Sequence, residues 1–170
     1  CIRDRFYPNS FLSLGSIYDG TSNTLMIAEV KAWTPYFRNA GPPSIVPPLD
    51  GTEGATVALT GAEFKETGHT EWPDGRVHHC GFTATLPPNT VVPVERNGKW
   101  LDVDYNSWQE GRAGGAGLPT FAMITSRSFH PQVVNVALAD GSVRAITDSI
   151  DRLTWRALAT RGGEETFVMP

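Results

Sequence analysis

Residues 128–161 read SFHPQVVNVALADGSVRAITDSIDRLTWRALATR, and this stretch decides the fold. On both sides of Asp140-Gly141, aliphatic or β-branched residues alternate with small or polar ones, which is the pattern of a half-buried strand. An Asp-Gly pair between two such runs is typical of a hairpin with a type I′ turn, whose two central residues both have positive φ. The sequence therefore predicts a β-hairpin over about 135–146.

A helix signal follows the hairpin. Asp148 or Ser149 can accept hydrogen bonds from the first turn of a helix, and apolar residues then recur at helical spacing. The glycine pair after residue 161 can end such a helix. We therefore expect a C-terminal helix over about 149–160.

The composition fits one folded domain. The 170 residues are 40% hydrophobic, which is enough for a core, and they include 17 glycines and 13 prolines, which favours many turns over a helical bundle. No internal repeat and no change in composition divides the chain. We expect a single globular domain over 1–170 of the α+β class, in which the C-terminal helix packs on a twisted, mainly antiparallel β-sheet that ends in the hairpin.

Other segments carry weaker patterns. The apolar run within 24–33 is short and bounded by turn residues, so it predicts a buried strand. Further strands are expected within 77–85 and 90–94, and a helix within 56–64. The glycine-rich segment 106–119 is expected to be a surface loop.

The charge distribution excludes several classes of partner. The formal net charge is -4, and the basic residues are scattered singly, so a nucleic-acid backbone would meet net repulsion. There is no polybasic segment for an anionic membrane surface. No apolar run approaches the roughly 20 residues that span a bilayer. Nucleic acid is therefore not expected as a partner.

Calcium is the metal that the sequence favours. Asp102 and Asp104 are two apart in an extended segment, so both carboxylates lie on one face. The alternative is that they are ordinary solvated loop carboxylates. Zinc at His78-His79-Cys80 is disfavoured, because adjacent residues of a strand point to opposite faces and no second ligand pair has zinc spacing.

No catalytic motif is present in the sequence. There is no nucleophile elbow, no zinc-protease motif and no phosphate-binding glycine loop. Asp19, Glu29 and His130 could converge in space, but spacing alone does not place them together. We therefore expect a non-enzymatic protein that requires no cofactor, with calcium as the one optional ion.

Three tryptophans stand in polar, glycine-rich surroundings. Trp72, Trp100 and Trp108 could stack on sugar rings, which keeps a glycan-binding function open. The alternative is that they are core or interface residues.

The two cysteines, Cys1 and Cys80, are compatible with one disulfide in an exported protein. The alternative is a pair of free thiols. The chain begins with a cysteine, which suggests a preceding segment or, alternatively, the lipidated first residue of a lipoprotein.

A family resemblance emerges from several motifs together. His130 is followed by nine residues and then Asp140-Gly141, and Asp19-Gly20-Thr-Ser-Asn23-Thr is followed by Glu29. This H-x9-DG signature and the DGTSNT segment resemble those of the pseudopilin-like proteins of planctomycetes, the DUF1559 family. The resemblance covers residues 17–163, but the chain lacks the family's N-terminal cleavage motif and long apolar helix.

The resemblance implies a pilin-like globular head without its N-terminal helix. It implies an extracytoplasmic protein of the periplasm or cell surface, anchored in the membrane by that absent helix. The implied function is a subunit of a surface filament or secretion pseudopilus, whose partners are other copies of itself and other pilus or secretion subunits. The alternative of a different class is an extracellular solute- or glycan-binding module.

Overall fold

The computed structural model describes residues 11–42, 47–110, 113–114 and 120–163, and it has the expected α+β composition. Three helices, α1 (Gly51–Ala58), α2 (Val77–Cys80) and α3 (Arg152–Ala157), and two 3-10 turns, Leu14–Ser16 and Thr21–Asn23, occur in these ranges. The strands are β1 (Leu25–Ala28), β2 (Thr34–Arg38), β3 (Glu63–Gly68), β4 (Pro93–Arg96), β5 (Lys99–Asp102), β6 (Asp104–Asn106), β7 (Gln109–Glu110), β8 (Ala113–Gly114), β9 (Ala122–Met123), β10 (Val133–Leu138) and β11 (Val143–Thr147).

The first sheet contains the predicted hairpin. Its strand order is β1-β10-β11, and all its pairs are antiparallel. Alternate residues of β10 are buried, as the sequence pattern predicts, and they pack with Trp155 of α3 and with Leu158 just after it. The C-terminal helix therefore covers one face of the first sheet.

The turn of this hairpin is not of type I′. The amide of Gly141 donates to the carbonyl of Leu138 at 3.0 Å, so Ala139 and Asp140 are the central residues of the turn. Of the turn residues, Gly141 alone has positive φ, at +84°. A turn followed by a left-handed glycine is the three-residue hairpin loop with a G1 bulge, which the Asp-Gly pair also permits.

The C-terminal helix starts later than the sequence predicted. The carboxylate of Asp151 accepts from the amide of Thr154 at 2.9 Å, so Asp151 is the N-cap rather than Asp148 or Ser149. The earlier residues form a turn in which the amide of Ile150 donates to the carbonyl of Thr147.

The second sheet is built from distant segments. Its strand order is β3-β2-β6-β9, in which β2 and β6 are parallel and the other pairs are antiparallel. Helix α1 packs on this sheet after a cap in which Asp50 accepts from the amides of Thr52 and Glu53. Gly51 allows the helix to approach closely, because a Cβ at this position would lie 1.9 Å from the carbonyl oxygen of Val91.

Two weaker predictions were wrong. The segment 77–80 is the short helix α2 and not a strand. The helix predicted within 56–64 ends at Ala58, and the strand β3 begins at Glu63. The strand expected within 90–94 begins at Pro93 and forms the hairpin β4–β5 across Asn97-Gly98.

The two sheets are joined through the backbone of Glu29. Its carbonyl accepts from the amide of Arg127 at 3.0 Å and from the hydroxyl of Ser126 at 2.8 Å. The amide side chain of Asn89 also reaches the carbonyl of Val133 at 3.3 Å. The end of β1 is therefore tied to the segment that follows β9.

Candidate functional site

The DGTSNT segment lies against the hairpin turn. The amides of Ala139 and Asp140 donate to the carbonyls of Thr24 and Thr21, at 2.8 and 3.1 Å. Gly20 has φ +90°, which a glycine adopts without strain. The DGTSNT segment and the Asp140-Gly141 turn, which are more than a hundred residues apart, are therefore hydrogen-bonded to each other.

The carboxylate of Asp19 holds the segment that follows α3. Its Oδ2 accepts from the hydroxyl of Thr160 at 2.9 Å and from the amide of Gly163 at 3.1 Å. At the turn, Asp140 Oδ1 accepts from both the hydroxyl and the amide of Ser142, and these hydrogen bonds lower the pKa of Asp140. Both aspartates act as acceptors that fix the backbone.

Glu29 joins β1 to β10 and meets His130. Its carboxylate accepts from the amide and the side chain of Asn135, at 2.8 and 3.1 Å, and lies 3.3 Å from Nε2 of His130. Burial raises the pKa of Glu29, but the hydrogen bonds from Asn135 and the charge of His130 outweigh this and lower it. Glu29 and His130 therefore do converge, whereas Asp19 lies before the other end of β1.

Arg127 is a residue whose role the sequence analysis missed. Its Nε and Nη2 donate to the two oxygens of Asp102, both at 2.8 Å, and its Nη1 donates to Asp104 Oδ1 at 2.6 Å. Burial lowers the pKa of this guanidinium, but the two carboxylates outweigh burial and raise it. The signal in the sequence was the pair of acids around the apolar Val103, because a buried carboxylate such as that of Asp104 needs a cation.

The guanidinium stands where the sequence predicted calcium. The two carboxylates do share one face, but each oxygen of Asp102 and one oxygen of Asp104 accept from Arg127. A calcium ion would have to displace this buried arginine, so the geometry favours an ion pair. Calcium at this position remains a prediction.

The outer face of the first sheet carries an apolar row. Ile27, Ala137 and Val143 are register partners across the three strands, and Ile27 and Val143 are 57% and 70% exposed. A sheet with one solvated face normally presents polar residues there. We call this set the apolar row, and it leaves two large apolar side chains on the solvated face of the sheet.

The three tryptophans are not alike. Trp72 and Trp100 are 73% and 72% exposed, whereas Trp108 is half-buried and lies against Gly41. An open groove of about 360 Å³ is lined by Phe64, Glu66, Arg96, Asn97, Lys99 and Leu101. Because Lys99 and Leu101 of β5 face the groove, Trp100 between them faces the opposite side.

The cysteine and histidine predictions have mixed outcomes. Cys80 is exposed as a free thiol, and its predicted disulfide partner Cys1 lies outside the described residues. His78 and His79 are both buried and lie in the helix α2, so the argument that placed them on opposite faces of a strand was wrong. Burial, together with the charge of His79, lowers the pKa of His78 to about 3, and His78 Nδ1 lies 3.1 Å from the side-chain nitrogen of Asn106.

In the part of the chain that the structure describes, no helix is long and apolar enough to cross a membrane. The fold is an α+β domain of open sheets in which the signature residues bind backbone to backbone. The model of a protein family of unknown function, DUF1559, matches residues 4–153. The chain belongs to this family. No curated protein and no solved structure matched it.

Proposed function

We propose that this chain is the globular head of a non-enzymatic, exported pilin-like subunit, which assembles into a surface filament or secretion pseudopilus. The subunit is anchored outside the cytoplasm by an apolar N-terminal helix, and its partners are further copies of itself and other pilus or secretion subunits. Membership of DUF1559 supports this proposal together with the pseudopilin-like resemblance of its signature.

The contacts of the signature residues support a structural role. The carboxylates of Asp19, Glu29 and Asp140 all accept hydrogen bonds from backbone amides. The bond of Glu29 joins β1 to β10, that of Asp140 fixes the hairpin turn, and that of Asp19 holds the segment after α3. Such a set stabilises a shape that many copies can share, which is what a filament subunit requires.

The apolar row is the observation that carries the proposal. It lies on the sheet face opposite α3, so Ile27, Ala137 and Val143 do not contribute to the core of the head. An apolar helix laid across three strands would bury this row at roughly 25 cal/mol per Å². The helix that the pilin-like resemblance implies is apolar, so it could cover the apolar row.

The second candidate is an extracellular glycan-binding module. The exposed indoles of Trp72 and Trp100 favour it, because aromatic faces stack on sugars. The two residues lie on separate elements, Trp72 in the loop between β3 and α2 and Trp100 in β5. This candidate predicts that binding to a glycan array is lost when either tryptophan is replaced by alanine.

The test compares two valines in the protein produced from its complete gene. Val143 is on the apolar row, whereas Val91 is 58% exposed outside the named strands. Val143→Asp should reduce filament yield in electron micrographs by at least about tenfold, because an aspartate in an apolar interface costs several kcal/mol. Val91→Asp should leave the yield unchanged.

Residues 1–170 alone should remain monomeric in sedimentation, and both variants of this head should unfold like the wild type. A wild-type full-length protein that forms no filament and binds a glycan would overturn the pilin-like proposal in favour of the second candidate. Equal filament yields from the two valine variants would show that the apolar row is not an assembly surface.

A further inference from the structure

Three metal-ligating side chains, two from the loop between β3 and α2 and one from α2 itself, lie close together and away from the signature residues. The ligand atoms of Glu71, Asp74 and His79, one from each residue, lie within 4.8 Å of one another. Glu71 is exposed, Asp74 is half-buried, and His79 is only 2% exposed. The cluster therefore has a buried imidazole at its base and carboxylates on its solvent side.

The imidazole of His79 has unused hydrogen-bonding capacity. Its Nδ1 is buried without a partner among the described residues. Its Nε2 faces the carboxylate of Glu71 at 3.7 Å, which is longer than a hydrogen bond. Because buried polar groups are normally paired, an imidazole whose Nδ1 has no partner and whose Nε2 faces a carboxylate beyond hydrogen-bond distance is suited to hold an ion between Nε2 and that carboxylate.

The spacing suits a single small ion. Ligand atoms about 2.0–2.2 Å from a tetrahedral zinc ion are about 3.4 Å from one another, close to the 3.7 Å between His79 Nε2 and Glu71 Oε2. All three ligand atoms lie within 4.8 Å of one another, and the exposed side chain of Glu71 can rotate. Asp74 Oδ1 accepts from the amide of Arg76 at 3.1 Å, so Asp74 and the buried His79 are the fixed ligands, and Glu71 can close onto the ion.

The backbone brings these residues together through a short turn. The amide of Asp74 donates to the carbonyl of Glu71 at 2.9 Å, and the amide of His79 donates to the carbonyl of Arg76 at 2.9 Å. Arg76 Nη1 also lies 3.1 Å from Asp74 Oδ2. Since the Arg76 side chain is half-exposed, it can move aside when an ion enters.

We propose that Glu71, Asp74 and His79 bind a divalent transition metal ion of the zinc class. Imidazole nitrogen with carboxylate oxygen suits zinc, whereas calcium and magnesium prefer oxygen ligands alone. Three protein ligands leave a fourth position for water or a ligand of the ion. This site is independent of the proposed filament function.

The test is calorimetric titration with zinc chloride. Thiols also bind zinc, so the background is the variant in which Cys1 and Cys80 are both replaced by serine. This protein should bind one Zn²⁺ per chain, and excess Ca²⁺ should not compete. Glu71→Gln and Asp74→Asn should each weaken zinc binding by at least about tenfold. Loss of a residue that only supports a metal ligand already lowers metal affinity by about that factor, and loss of a ligand should lower it at least as much.

Glu95→Gln is the matched control, because Glu95 is an exposed carboxylate on β4. It should bind zinc like the background protein. His79→Gln should abolish binding, and its far-ultraviolet circular dichroism establishes whether it folds. If His79→Gln does not fold, the zinc affinities of Glu71→Gln and Asp74→Asn test the proposed site.

Absence of zinc binding would overturn the proposal, and so would equal affinities in Glu71→Gln, Asp74→Asn and Glu95→Gln. Cobalt(II) provides an independent spectroscopic readout. Its visible absorption should be that of a four-coordinate ion in the background protein and should weaken in Glu71→Gln. A spectrum of the hydrated ion in the background protein would contradict the site.

Discussion

The two main sheets are stabilised in different ways. The first sheet, β1-β10-β11, packs an alternating apolar face against Trp155 and Leu158. The second sheet, β3-β2-β6-β9, also has an apolar core, but its strand β6 begins with the buried Asp104, which pairs with the buried Arg127. Apolar alternation therefore specifies the first sheet locally, whereas in the second sheet a buried ion pair joins segments that are distant in the sequence.

The largest expected effect comes from Arg127→Met. This substitution leaves the carboxylate of Asp104 buried without its cation, which costs about 3–5 kcal/mol of unfolding free energy. Urea denaturation at neutral pH measures the loss. If the second sheet depends on the charge pair, the double variant Arg127→Met with Asp104→Leu should recover part of the stability, because a buried ion pair can be replaced by apolar residues.

A loss below about 1 kcal/mol in Arg127→Met would mean that water reaches Asp104, and the contrast between the sheets would weaken. Arg144→Met is the control. Arg144 is an exposed arginine on β11, and its replacement should change stability by no more than about 0.5 kcal/mol.

An intermediate effect is expected at the hairpin turn of the first sheet. A Cβ added at Gly141 or at Gly75 meets no atom within 4 Å, but only Gly141 of the two has positive φ. Gly141→Ala should therefore cost about 1–2 kcal/mol through backbone strain. Gly75→Ala should leave the free energy of unfolding unchanged or raise it by about a few tenths of a kcal/mol, because alanine restricts the conformations of the unfolded chain.

Thermal unfolding of the two alanine variants measures this difference. Equal melting temperatures would show that the turn relaxes to negative φ without cost. The register of the first sheet would then depend on its apolar pattern and not on the geometry of this turn.

The smallest effect is a pH dependence at the edge of the second sheet. Hydrogen bonds from Arg38 and then Lys65 lower the pKa of Glu63 to about 2. A carboxyl whose pKa falls on folding contributes stability that is complete above its unfolded value near 4.5 and is lost as the pH falls toward 2. Glu63→Gln should be less stable than the wild type at pH 6, and the difference should shrink as the pH falls below 4.5.

The control for this prediction is Glu66→Gln, which removes an exposed carboxylate from the same strand. The difference in unfolding free energy between Glu66→Gln and the wild type should stay constant as the pH falls from 6 to 2. A constant difference between Glu63→Gln and the wild type down to pH 2 would contradict the coupling to Arg38.

The first sheet was predictable because its signals are local. Alternation in β10 and the Asp140-Gly141 pair predict strand, turn and strand from neighbouring residues alone. The turn type was not predictable, since the φ of Asp140 depends on whether two or three residues form the loop. The start of α3 was also missed, because Asp148, Ser149 and Asp151 are all competent caps.

The second sheet was largely unpredictable for the opposite reason. β3 reads EFKETG, whose residues are mostly half-buried, so its pattern of burial has no clear period. The parallel pairing of β2 with β6 joins residues near 36 and 105 and leaves no local signal. Helix α2 is a single turn of VHHC that begins with a β-branched residue, and the sequence pattern favoured a strand there.

The candidate sites also divide into features with local sequence signals and features that depend on contacts between distant residues. The signature residues could be named from the sequence, but which of them meet could not, because Glu29 reaches His130 only after β1 pairs with β10. The cluster of Glu71, Asp74 and His79 was missed, since it depends on the turn before α2 and on the burial of His79.

The hydrogen bonds of Asp19 have a mechanical consequence. Tyr18 and Asp19 donate their amides to the carbonyl of Arg161, and the Asp19 carboxylate accepts from Gly163. The segments before β1 and after α3 are therefore hydrogen-bonded to each other, and they close a loop of about 140 residues that contains both sheets. A force applied to these two segments is expected to break these hydrogen bonds before it stretches either sheet.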